Sequence, residues 1–255
     1  MRKIVLFFVV ISLAVISAGC VTSGMKKIRG QRVPIALVSV VANSEIHWKD
    51  ENPIDVDRMG PLAARVMRND PGLVLVSRTE EFINVTENLI RETLANSSVT
   101  NLADRETVLQ SRAYQAAKIN REHEKQSSFN PLGDGFSSIH MVKPEDFRFV
   151  DYRDRNFASA LAAETGIQRS MFVEFNFTRA MALGIGKYGT CRPEIDMTVQ
   201  ILDASGKRLF RKTYSVQSIS TTNVSAAVYS DVAFMRLLES AVVDALYQLI
   251  ETLEG

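Results

Sequence analysis

Two cysteines, three histidines and one tryptophan are all that this 255-residue chain spends on the side chains that most often do chemistry. Cys20 and Cys191 are 171 positions apart and form no C-x-x-C pair. His47, His123 and His140 never stand at the i, i+4 spacing that sets two ligands on one helix face, and no cysteine lies near them, so metal ligation would need long-range convergence. No G-x-S-x-G elbow occurs for a nucleophilic serine. Net charge is scarce too. With 30 basic and 29 acidic residues, the chain has no electrostatic excess for holding nucleic acid. Its apolar runs stop short of the roughly 20 residues that a spanning helix needs. These absences leave no catalytic constellation, and neither enzyme activity, metal nor cofactor is expected.

The N-terminus has three zones. Arg2 and Lys3 are positive, Ile4 to Ile16 is apolar except for Ser12, and Ser17, Ala18 and Gly19 are small, with Cys20 next. That is the layout of a secretory signal, which a spanning anchor would not need. Small residues ending at Cys20 resemble the lipobox of bacterial lipoproteins, in which a peptidase cuts before a diacylated cysteine. Ser17 departs from it, since the family usually has Leu there. The resemblance implies a signal peptide over 1–19 and a lipidated tether over 20–32, palmitate included. Two acyl chains, at about 0.8 kcal/mol per buried CH₂, anchor stably where one is marginal. Val21, rather than Asp, after the cysteine implies the outer membrane, facing the periplasm. With Cys20 lipidated, Cys191 has no disulfide partner and reads as a buried, inert thiol. Lys26, Lys27, Arg29 and Arg32 make the tether basic, suited to anionic headgroups or simply solvated.

The remaining residues, 33–255, read as one α/β domain with insertions near 44–78 and 120–151. "VPIALVSVVAN" (33–43) is a strand buried on both faces. Gly60 to Arg68 is a short helix, and "PGLVLVS" (71–77) a small extra strand. Thr79 is the expected cap of a helix to Leu94, stopped at Asn96. "SSVTNL" (97–102) is a short strand, and Asp104 caps a helix to about Ala117. Asp154 to Thr165 is helical and stops at Gly166. Alternating apolar residues then predict three strands, over 169–183, 194–204 and 208–220, as an antiparallel meander. A last helix starts at Ser230 or Asp231, its stripe made of Val232, Met235, Leu238, Val242, Leu246 and Ile250. The expected fold is a two- or three-layer sandwich, a mixed sheet with helices on its faces. "GIGKYG" (184–189) matches G-x-G-x-x-G by letter, but a strand follows it, so it reads as a hairpin loop.

The phrases "IALVSVV", "SSVTNLADRETVL", "LAAETGIQRSMFVEFNF" and "VQILDASGKRLFRKTY" together resemble a broad group of envelope proteins. It includes the penicillin-binding-protein activator lipoproteins, the curli-secretion lipoproteins and the N-terminal domain of the TolB family. Gly166-Ile167-Gln168-Arg169 departs from the "Gly-Ala-Asp-Tyr" usual there. The resemblance implies a non-catalytic binding or assembly module, with an envelope protein or a peptidoglycan-synthesis or secretion component as partner; oligomers are compatible with it. Trp48, alone in a polar insertion, reads either as an interface anchor or as a ring tucked back onto the domain. Phe129 and Phe136 flank a Gly/Pro turn and read either as partner- or membrane-touching residues or as loop residues folded onto the core. A weaker likeness, to spirochaete outer-membrane lipoproteins that dip amphipathic helices into lipid, rests on the leucine-rich faces of 79–94 and 231–253. Ordinary core packing accounts for the same faces.

Overall fold

A computed structural model describes residues 33–49, 60–70, 72–97, 100–124, 140–185 and 188–254. The signal, the tether, Cys20, Phe129 and Phe136 lie outside them.

The chain runs β1 (Pro34–Asn43), β2 (Glu45–Trp48), α1 (Gly60–Asn69), β3 (Leu73–Val74), β4 (Ser77–Arg78), α2 (Phe82–Ala95) and β5 (Asn101–Leu102). It continues with α3 (Arg105–Leu109), α4 (Arg112–Ala116), α5 (Arg121–Glu124), β6 (Met141–Val142) and α6 (Arg155–Thr165). The final third is β7 (Arg169–Ile185), β8 (Tyr188–Asp203), β9 (Arg208–Gln217), β10 (Thr222–Ser225), β11 (Val228–Ser230) and α7 (Asp231–Glu254).

One mixed sheet organises all of this, in the order β3-β11-β10-β8-β7-β1-β5, with β9 beside β8. β1 is parallel to β5 on one side and to β7 on the other. That central position explains its unbroken apolar run: from Ile35 to Asn43 every residue is buried. β7, β8 and β9 form the expected antiparallel meander. Along β7, Val173, Phe175 and Phe177 are buried while Glu174 and Asn176 are exposed, the period-two pattern of a sheet with one covered face.

Both β1→β5 and β5→β7 are parallel crossovers. They move in opposite directions across the sheet, so the right-handed rule sets α2 on one face and the α3–α6 group on the other. α7 joins α2, burying Phe234, Leu238, Ala241, Val242, Ala245, Leu246, Leu249 and Ile250. The true stripe is therefore rotated from the sequence reading: Val232 is exposed and Phe234 is fully buried. The buried side of α2 holds Phe82, Ile83, Ile90 and Leu94. Both leucine-rich faces are thus core.

The helix ends follow local chemistry. Asp104 accepts from the Thr107 amide at 2.8 Å and starts α3. Ser111 caps α4, so the helix expected over 105–117 is two short ones. Asp154 caps α6, which Gly166 ends at φ 75°. Thr79 is a correction. It is fully buried, and its hydroxyl donates to the Asn43 carbonyl instead of capping α2. Glu81 holds the cap position with no side-chain cap bond. Glu87, buried on α2, receives Arg91 at 2.5 Å and Arg105 at 3.2 Å, tying α2 to α3.

Two features escape the pattern reading. β2 lies in what reads as a polar insertion, yet it carries the line of β1 onward, pairing with β7 at His47↔Thr178 and Trp48↔Arg179. β10 and β11 form an added hairpin that takes over the edge of β8 at Gly189–Cys191, where β9 has ended. Pro193 sits at this handover, where a missing N–H leaves no ladder bond unmade.

Candidate functional site

The end of the sheet where β7 turns into β8 is where exposed apolar surface and buried charge meet. Arg169 pairs with Asp203 at the near end of these strands, and Ile185 pairs with Tyr188 at the far end. "GIGKYG" is therefore a hairpin, as its following strand requires. Gly184 and Gly189 face each other at φ 141° and 142°, and a Cβ on either would come within 2.0 Å of a cross-strand carbonyl oxygen. Only glycine allows the strands to approach this closely here.

Beyond the core, the hairpin presents Leu183 at 76% exposure, Ile185 at 90% and Tyr188 at 50%. On the β7 side, β2 pairs only as far as Arg179. Among the described residues, no strand pairs with the outer edge of β7 from Ala180 to Ile185.

The root of this hairpin is braced by Arg179, a fully buried guanidinium. Its central carbon lies 4.5 Å from the Trp48 ring centroid and 4.8 Å from that of Tyr229. A cation between two ring faces is stabilised by both quadrupoles, most strongly where water is excluded. Four strands build the stack: β2 brings Trp48, β7 Arg179, β11 Tyr229 and β4 Ser77. Tyr229 accepts from the Ser77 amide at 3.0 Å and shares a 2.8 Å bond with the Ser77 hydroxyl. Ser77 Oγ in turn donates to Asp231 at 2.5 Å. Burial holds the Tyr229 phenol above its ordinary pKa. Alongside, Lys49 Nζ meets the buried Glu194 carboxylate at 2.5 Å.

Trp48 is 7% exposed and its ring is occupied by Arg179. Of its two readings, the structure has the ring tucked back onto the domain. The sequence signal that finds it is the four-residue alternation Glu45-Ile46-His47-Trp48, with Ile46 and Trp48 inward. Arg179 had no such signal.

The histidines have separate surroundings. His47 lies 3.5 Å from Glu45, and its pKa is lowered, by burial first, with the Arg179 cation adding to this and Glu45 opposing it. His123 sits edge-on to Phe149 at 6.1 Å. The His140 carbonyl accepts from the Ser44 amide at 2.7 Å. Among the described residues, no group of three or more His, Cys, Asp or Glu could hold a metal ion.

Cys191, opposite Met181, is fully buried, and burial pushes its thiol up to about 11. Only the thiolate attacks. In a Cys20→Ser chain at pH 8, alkylation of Cys191 is expected to be about 100-fold slower than in urea, because the thiolate fraction falls tenfold per pKa unit. Equal rates in the two states, followed by mass spectrometry, would show an accessible thiol.

A second feature lies on the sheet face away from α7. Tyr152, Arg153, Gln200, Leu202, Lys207 and Arg208 line an open cleft of about 600 Å³. Tyr152 and Gln200 also border a narrower one reaching Glu174, Thr198 and Arg211.

Against known proteins, no protein-family model matches this sequence, and no curated protein matches it. Among solved structures, the crystal structure of lipoprotein GNA1162 from Neisseria meningitidis aligns with 85% of this chain and 99% of its own, at 13% identity and a TM-score of 0.30. A superposition that loose defines no shared architecture.

Proposed function

We propose that this chain is a lipid-anchored protein of the cell envelope, held in the outer membrane through Cys20. Its α/β domain binds another envelope macromolecule without catalysis. The observation that carries the reading is the far end of the sheet, where Leu183, Ile185 and Tyr188 stand in solvent on a hairpin whose root is braced by buried Arg179. Exposed aliphatic and aromatic side chains on a rigid element cost little ordering entropy when a partner covers them. The anchor supplies the rest: confinement to a surface raises the effective concentration near the partner.

Geometry favours a partner that stands off the anchoring leaflet. The tether would enter at Pro34, beside Arg169, while the hairpin lies at the other end of the 17-residue β7. At ~3.3 Å per residue β7 is about 55 Å long. Residues 20–32 reach about 45 Å when fully extended. A domain standing on its tether therefore directs the hairpin away from its own membrane. The leucine-rich helix faces that would favour insertion into lipid are buried in the core.

The test is cross-linking in intact envelopes with wild type, Cys20→Ser and Leu183→Ser/Ile185→Ser. Cys20→Ser is expected to leave the membrane fraction, and the double variant to stay there but lose at least ~90% of the captured partner, a tenfold loss corresponding to about 1.4 kcal/mol. Sedimentation of Cys20→Ser with membranes would refute the anchor. Undiminished capture by the double variant would refute the hairpin as the contact. Leakage of liposomes caused by a chain lacking residues 1–20 would favour a lipid-active protein instead.

A further inference from the structure

We infer that the outer edge of β9 is a strand-addition site for an extended acidic segment of a protein partner. It is a surface separate from the hairpin end. β9 is ten residues long and hydrogen-bonds to β8 alone. Among the described residues, no backbone group outside β8 bonds to Arg208–Gln217. The sheet's terminal strands in the other directions, β3 and β5, are two residues each. β9 is thus the long edge. About half of its N–H and C=O groups face outward, since an antiparallel strand directs them alternately to either side.

The side chains select the occupant. "RLFRKTYSVQ" carries Arg208, Arg211 and Lys212 and no carboxylate, with Lys207 just before it. The cations flank the edge on both faces. Arg211 pairs across from Gln200 on the open face. Lys212 lies on the α7 face, its ammonium 4.7 Å from the Tyr214 ring centroid and 3.2 Å from Thr252 Oγ1. The carboxylates nearby are engaged or set apart: Asp196 accepts from Ser215 at 2.5 Å, Glu194 meets Lys49 at 2.5 Å, Asp203 accepts from the Lys207 amide at 3.0 Å, and Glu174 borders the narrow cleft that Arg211 also lines.

Cations along an edge disfavour a second copy of β9 in parallel register, where its arginines and lysines would meet their own kind; in full antiparallel register they would meet Gln217, Tyr214 and Thr213 and gain no opposite charge. An acidic strand gains the same backbone bonds and adds opposite-charge cross-strand pairs. At the Arg208 end the edge runs into the cleft formed by Tyr152, Arg153, Gln200, Leu202 and Lys207, where no carboxylate lines the wall. An incoming segment that continues past Arg208 meets two more cations there, Lys207 and Arg153, although Arg153 is already held by Asp151 at 2.9 Å.

The probe is a fluorescent ten-residue peptide alternating glutamate with valine or threonine, added to the full-length chain and read by anisotropy. Its controls are the same peptide N-methylated at alternate residues and its lysine counterpart. The acidic peptide is expected to bind, the N-methylated one at least tenfold more weakly, and the lysine one not at all. Hydrogen exchange is expected to slow within 208–217. Arg208→Gln/Arg211→Gln, both exposed positions, should weaken binding about tenfold with an unchanged circular dichroism spectrum. Leu183→Ser/Ile185→Ser should bind as wild type, which separates this site from the hairpin contact. Equal binding of the N-methylated peptide would reduce the effect to charge and overturn strand addition. Absence of binding by the acidic peptide, or protection outside 208–217, would overturn it as well.

Discussion

Arg179→Ala is expected to lower the unfolding free energy by about 3–5 kcal/mol, the range for emptying a large, fully packed core position. Trp48 and Tyr229 lose the guanidinium packed between them. The loss combines packing with two cation–π contacts, each about 2 kcal/mol when desolvated, and with the hydrogen bond between Arg179 and the Tyr229 phenol. Arg179→Met separates the two contributions. It restores most of the volume without the charge, and replacing a buried ion by a well-packed apolar chain is often close to neutral. A methionine variant within about 1.5 kcal/mol of wild type would assign the stack to packing; a loss near that of alanine would assign it to charge. Urea unfolding measures both, and Trp48, the single tryptophan, reports on the stack directly by fluorescence. A midpoint unmoved by Arg179→Ala would contradict the buried geometry.

Asn43→Ala should be about as damaging, at roughly 3–5 kcal/mol. Asn43 ends β1, is 3% exposed, and its amide takes the place of a strand residue. Its Nδ2 donates to the Glu45 carbonyl at 2.6 Å and to the Phe177 carbonyl at 2.8 Å, and its Oδ1 accepts from the Phe177 amide at 2.7 Å. One side chain thereby bridges the break between β1 and β2 and keeps both in line with β7. Alanine orphans the Phe177 N–H and C=O, each costing about 1–3 kcal/mol when buried. Asn43→Asp adds a pH signature. Its carboxylate would face two carbonyls, so its folded pKa rises above the unfolded value. The penalty is absent below about pH 3.9, grows as pH climbs through the folded pKa, and is constant above it. Denaturation midpoints of Asn43→Asp and Asn43→Ala measured between pH 4 and 8 would check this; parallel curves would count against the bridge.

The long elements were legible because burial writes a period into the sequence. Nine consecutive buried residues in β1 leave a solid apolar run, while the middle of β7, Val173 to Phe177, has one covered face and leaves an alternating one. Asp104, Asp154 and Gly166 announced their helix ends because caps act within one turn. What stayed hidden depends on distant partners. Arg179 looks like any charged residue near a strand's slip; only Trp48 and Tyr229, far away in sequence, make it a core residue. β2 spans four residues, too few for a period to stand out among the polar residues around it. The β10–β11 turn gave no signal because Ala226 and Ala227, at φ 53° and 66°, hold a conformation that glycine or asparagine usually marks. The exposed hairpin end was legible as a loop, but not as two strands continuing beyond their core.

The central strand of this sheet also sets a timetable. β1 is made first, yet its long neighbour is β7, which begins at Arg169. During synthesis an apolar ribbon must therefore wait, unpaired along most of its length, while well over a hundred residues follow it. Pairings this distant in sequence make for slow assembly. The domain therefore cannot lock shut until its final third has been made.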